Sequence, residues 1–162
     1  MSAILKMPTP ASARAQFEAF RAELPLPVAK ARQGVGGYVT LDFGNKRGKD
    51  TITGDVQYDW HLWVYMCDWD LYEDNTRLLW RRESNHSLAG SILEQLAGEQ
   101  LTAIDMDSRD DCFVLRFTGG YSLNIDPDFY DFDASDDMFM LFRYGERHCL
   151  SFSPGRRFYP AA

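Results

Sequence analysis

Residues 112–125, CFVLRFTGGYSLNI, constrain the fold of this chain more than any other stretch. Phe113, Leu115 and Phe117 alternate with smaller or polar neighbours, and Tyr121, Leu123 and Ile125 repeat the alternation after Gly119-Gly120. Strict alternation specifies two half-buried strands joined by a tight turn. A two-residue Gly-Gly loop would set the apolar residues of one strand against the polar residues of the other. A three-residue loop, Thr118-Gly119-Gly120, pairs Leu115 with Leu123 and Phe113 with Ile125. Register follows the buried face, so the longer loop is expected, with Gly120 in the left-handed conformation.

The 162 residues suit one domain that can build its own core. An aromatic content of 14% favours a β-rich interior of large side chains. Net charge is −7 and unevenly spread. Residues 1–50 carry eight basic and four acidic side chains, and the remainder carries nine basic and twenty acidic ones. Such an acidic body repels phosphate backbones, which argues against nucleic acid and for a basic protein as partner. Cys67, Cys112 and Cys149 form no CxxC and are odd in number, as expected of reduced thiols in the cytoplasm. The N-terminal MSAILKMPTP is too short in apolar residues for a signal peptide, and no stretch suits a membrane span.

Thr9-Pro10 reads as a helix start, with Ala13, Phe17, Phe20 and Leu24 at helical spacing and Pro25 ending the run. That stripe suits core packing, and could alternatively mediate a dimer. Residues 25–37, rich in Pro and Gly, read as a linker, so the expected division is 1–36, helix and linker, and 37–162, the α+β domain. Gly34, Gly36 and Gly37 lack the strand before and helix after that a phosphate-binding loop needs. A strand is expected over Tyr38–Phe43, a basic turn over 44–50, and strands over 58–71 and 76–82. In HLWVYMCDW, unbroken alternation would put Leu62, Val64 and Met66 on one face together with Asp68 and Asp70. Ser87 is the expected cap of a helix from Leu88 to Ala97, with Leu88, Ile92, Leu93 and Leu96 buried. Five strands should follow, near 101–107, 112–118, 121–125, 138–143 and 148–152. The expected fold is α+β: one curved, mostly antiparallel sheet packed on a central helix, with an extra N-terminal amphipathic helix.

No motif points to catalysis. Residues 126–137 hold six aspartates, but without the central Gly and distal Glu of a calcium loop. His61, His86 and His148 have no zinc spacing relative to each other or to the cysteines. No nucleophile motif occurs. The expectation is therefore no catalytic residue, no metal and no cofactor. Within the acidic loop, Asp128, Phe129, Tyr130, Asp131 and Asp133 interleave rings with carboxylates, the composition of an interface hot spot with a charged rim. The competing arrangement tucks the rings into the core and neutralises the acids with Arg156 and Arg157. Asp68 and Asp70, about 7 Å apart along one strand face, raise a different possibility: an acidic pocket in a small enzyme or ligand-binding protein.

Together, HLWVYMCDW and the LRFTGGYSLNI hairpin from Leu115 to Ile125 resemble small bacterial domains of unknown function, some of them similar to immunity proteins that neutralise secreted toxins. The resemblance spans about residues 37–152 and implies a non-catalytic cytoplasmic binder. It transfers no catalytic residue.

Overall fold

The structure, a computed structural model, describes residues 8–34, 36–83 and 85–161. The chain is α+β, with a mostly antiparallel, curved sheet and an N-terminal helix. Among the described residues the order is α1 (Pro10–Ala22), β1 (Leu26–Gln33), β2 (Val39–Lys49), β3 (Val56–Val64), β4 (Asp68–Glu73), β5 (Thr76–Trp80), α2 (His86–Glu94), β6 (Gln100–Asp107), β7 (Cys112–Phe117), β8 (Tyr121–Asp126), β9 (Phe139–Arg143), β10 (Cys149–Ser153) and β11 (Arg157–Ala161). The strands run β11-β10-β9-β3-β2-β1-β6-β7-β8-β4-β5 across one sheet.

The hairpin forms in the register that its buried face demands. Phe113 pairs with Ile125 and Leu115 with Leu123, and all four are buried. Thr118–Gly120 make the loop, with Gly119 at φ 76° and Gly120 at φ 79°. Both glycines, not Gly120 alone, occupy the region that disfavours other residues.

The sheet folds over on itself at β1. Leu26 and Pro27 pair with Leu101 and Gln100 of β6, whereas Val28 to Gln33 pair with β2. An irregularity between Val28 and Lys30 marks the corner. The two halves meet face to face: the Phe113 ring of β7 lies 4.9 Å from Phe139 of β9 and 4.9 Å from Phe152 of β10. Helix α1 fills part of the space between them. Its capping box joins Thr9 and Ser12, and its buried stripe is Ala13, Phe17 and Phe20. Phe17 packs 4.8 Å from Phe158 and 6.2 Å from Phe113, while Phe20 lies 5.1 Å from Trp60. The apolar stripe of α1 is therefore used inside the chain.

Several expectations need correction. Residues 26–33 are a strand at the centre of the sheet rather than a linker, and α1 shares the core of the rest, so the described part of 1–36 belongs to the domain; residues 1–7 lie outside the described residues. The basic GNKRGKD stretch continues β2, because Gly44, at φ 90°, accommodates a bulge against Asp59. The turn falls instead at 50–55, where the Asp50 carboxylate accepts from the backbone N–H groups of Ile52 and Thr53, each at 2.8 Å. Helix α2 is capped by Asn85 rather than Ser87, and Leu88 is exposed while Ala89, Leu93 and Leu96 are buried. Helix α2 packs on β1 and β5 and α1 on β10 and β11, so two helices share the role expected of one central helix. A further strand, β11, pairs with β10 beyond 148–152, the last strand expected from sequence.

The most consequential correction lies at Tyr65–Cys67. The Cys67 N–H donates to the Tyr65 carbonyl at 3.0 Å, closing a tight turn that separates β3 from β4. Side-chain phase slips by one residue. Leu62 and Val64 are buried before the turn, and Cys67, Trp69 and Leu71 after it. Asp68 and Asp70 thus face away from the core instead of sharing the Leu62 face. The slip lets one apolar run serve both halves of the sheet, since β3 pairs with β2 and β9 while β4 pairs with β5 and β8.

Candidate functional site

The acidic loop 126–137 connects β8 to β9 and runs beside the start of β4. Backbone bonds hold its far end, with the Tyr65 N–H donating to the Met138 carbonyl and the Met66 N–H to the Asp137 carbonyl, each at 2.8 Å. Its centre is organised by Arg81, just after β5. One guanidinium nitrogen of Arg81 donates to Asp128 and to Asp131, each at 2.8 Å, and its Nε lies 3.6 Å from Asp68. The last distance is an ion pair but too long for a hydrogen bond. Arg82 adds a second bond to Asp131 at 2.8 Å, and the Arg81 guanidinium sits 5.1 Å from the centre of the Phe132 ring. Side-chain exposure is 12% for Arg81 and 14% for Asp128, which makes this pair the semi-buried anchor of the loop.

Three of the acids expected from sequence, Asp68, Asp128 and Asp131, therefore converge on one arginine. The Asp131 carboxyl is held below its ordinary range, first by its hydrogen bond from Arg81. Asp133 is exposed and bonds within its own segment, accepting from Ser135 N–H at 3.0 Å. The two rings between them point outward: Phe129 is 63% exposed and Tyr130 93%. Phe132, the third ring, is half-buried beneath Arg81. The loop is neither wholly docked nor wholly free. Its centre is neutralised by Arg81 and Arg82; of the two arginines expected from sequence, Arg156 acts on Asp137 at the loop's far end, while Arg157 pairs with Asp111 in the β6–β7 turn.

Asp70 stands beside Asp126 and Asn124 on the outer face of β4 and β8. Burial, and then the charges of Asp126 and Asp68, push its carboxyl above the ordinary range. Asp68, Asp70 and Asp126 thus stand as neighbouring like charges on this face, with Arg77 acting on Asp70 and Arg81 paired with Asp68. Among the described residues no group of three or more His, Cys, Asp or Glu side chains is arranged to hold a metal ion. The three cysteines are free, with the Cys112 thiol pushed up to about 12 by burial and by Asp126. At that value it is a poor nucleophile.

A second feature escaped the sequence reading. Asp42 on β2 and His61 on β3 are directly paired residues, and His61 Nδ1 lies 2.8 Å from Asp42 Oδ1. Asp42 is only 5% exposed. Both line a groove of about 690 Å³ that neither Asp68 nor Asp70 enters. The two residues are 19 apart in sequence, and only the β2–β3 register brings them together.

No protein-family model, no curated protein and no solved structure matches this chain.

Proposed function

We propose that this chain is a non-catalytic protein-interaction module that grips a basic segment of a partner protein with loop 126–137 and the adjoining outer face of β4 and β8. The observation that carries this reading is the pair of exposed rings, Phe129 and Tyr130, on a loop already tied down by Arg81. A solvated acidic loop needs no exposed rings, and a docked one would bury them. An ordered loop presenting two rings loses little conformational freedom on binding. Burying about 150 Å² of each ring at about 25 cal/mol/Å² gives about 4 kcal/mol of gross attraction per ring. Asp68, Asp70, Asp126 and Asp133 supply a negative surround that favours encounter with a basic partner and disfavours nucleic acid.

The resemblance to immunity-like domains gives the reading a concrete form: a cytoplasmic protein that blocks a toxin by covering a basic surface. No helix of the described chain is long and apolar enough to cross a membrane. The alternative reading, an acidic pocket near Asp68 and Asp70, has less support because those acids stand on a sheet face outside the 690 Å³ groove.

The test is capture and identification of the partner from the cells that make the protein, then titration of the purified pair. Tyr130→Ala and Phe129→Ala should each weaken binding by more than about 1 kcal/mol while leaving thermal unfolding unchanged. Raising salt from about 0.05 to about 0.5 M should weaken it further, because exposed charge pairs are screened. Variants that bind as the wild type does would refute the interface.

A further inference from the structure

The Asp42–His61 groove is separate from the face just described and is built on rigid elements. Strand register lays out its floor. One row across the sheet reads Lys30, Asp42, His61, Phe142, and the next reads Arg32, Thr40, Trp63, Met140. The row on the opposite face, Ala31, Leu41, Leu62, Leu141, is buried in the core. The groove residues are therefore held from behind by a packed interior.

Asp42 settles how His61 is presented. An ionised carboxylate cannot donate, so the imidazole carries its proton on Nδ1 and leaves Nε2 as a free acceptor. Among the described residues Nε2 has no protein partner. Arg32 lines the same groove and forms no ion pair among the described residues. Trp63 and Phe142 supply flat apolar surface, the Phe142 ring lying 5.8 Å from the imidazole. The turns that wall the groove bring Asp50, Asp55 and Glu146, which would repel a polyphosphate. A volume of about 690 Å³ lies in the range of small-molecule sites and has room for two fused rings.

We propose that this groove binds a small aromatic monoanion: a planar ring system against Trp63 and Phe142, one carboxylate on Arg32, and a ring hydroxyl donating to His61 Nε2. The requirement for one negative charge comes from Arg32, the lining arginine that has no ion pair among the described residues while Arg143 reaches Glu23 at 3.8 Å, set against the acids at the walls. The requirement for a donor comes from the fixed tautomer of His61.

Calorimetric titration of the full chain with 6-hydroxy-2-naphthoate tests this directly, with three companions: 2-naphthoate lacks the hydroxyl, 2-naphthol lacks the carboxylate, and ATP is a polyanion. The hydroxy acid should bind with a Kd below about 1 mM, the two truncated probes about tenfold more weakly, and ATP not at all. His61→Leu should abolish the advantage of the hydroxy acid over 2-naphthoate, and Arg32→Gln its advantage over 2-naphthol. The His61 imidazole nitrogen resonances should move on binding in the wild type. Tyr130→Ala should bind all four probes as the wild type does, which separates this site from the protein-binding face. Equal affinity for 2-naphthol and the hydroxy acid, indifference to Arg32→Gln in a folded variant, or no binding at about 5 mM would each overturn the proposal.

Discussion

Replacing Arg81 by Met should destabilise the protein far more than the same change at its neighbour Arg82. Removing one partner of a fully buried ion pair costs about 3–5 kcal/mol, because the other charge is stranded. Here Asp128 is the stranded group, at 14% exposure. Water can still reach part of it, and Arg82, 3.7 Å away, offers a poorer substitute. Loss of the guanidinium over Phe132 adds a smaller penalty. These considerations give about 2–3 kcal/mol for Arg81→Met, against about 0–1 kcal/mol for Arg82→Met, whose side chain is half exposed. Equilibrium urea unfolding followed by circular dichroism resolves the difference. Pairing Arg81→Met with Asp128→Asn should recover much of the loss, since the stranded charge is then gone. Asp131 titrates below its ordinary value of 3.8 in the folded state, chiefly through Arg81. Its contribution is present above that value and lost as pH falls through the lower folded value, so the gap between wild type and Arg81→Met should narrow only below about pH 3.8. Equal effects of the two arginine substitutions would refute the claim that Arg81 anchors the loop.

Other perturbations bear on the rest of the structure. Gly120→Val should cost about 2–3 kcal/mol, because φ is 79° and a Cβ would stand 2.4 Å from Asp74 Oδ1; Gly119→Ala, with its nearest contact at 3.0 Å, should cost about 1 kcal/mol by thermal unfolding. Phe20→Ala should cost about 3–5 kcal/mol, whereas a separable N-terminal helix would leave the main unfolding transition unchanged. Asp70→Asn should raise the melting temperature at neutral pH. The folded state holds the Asp70 proton above the ordinary 3.8, so ionisation costs stability as pH rises through the folded value, and the advantage of Asn should vanish below about pH 3.8.

What the sequence disclosed follows from the range of the interactions involved. The β7–β8 hairpin was legible because its partners are adjacent in sequence and its alternation is clean. Helix α1 was legible because Thr9, Pro10 and the Phe17–Phe20 stripe all agree. Strand β1 was hidden by Pro25, Pro27 and the glycines beyond it, and by its role as a corner whose two ends pair with different strands. The phase slip at Tyr65–Cys67 was hidden because that turn contains no Gly, Pro, Asn or Asp. Leu88 misled because its bulk suggested burial, while the small Ala89 takes the core position. At the candidate sites, the acids and rings of 126–137 were visible as composition. Their anchor was not, because Arg81 lies 47 residues from Asp128 and reads locally as a strand end. Asp42 and His61 were likewise invisible as a pair, since neither has a motif and each looks like an ordinary polar residue of an alternating strand.

Hydrogen exchange with and without the identified partner tests the central claim most directly. Binding through the ring-bearing loop predicts slowed exchange of backbone amides in residues 128–133 and at the start of β4. The amides of the β2–β3 turn at 50–55 should be unchanged. Protection confined to the β2–β3 turn and the Asp42–His61 groove, with none over Phe129 and Tyr130, would contradict the account.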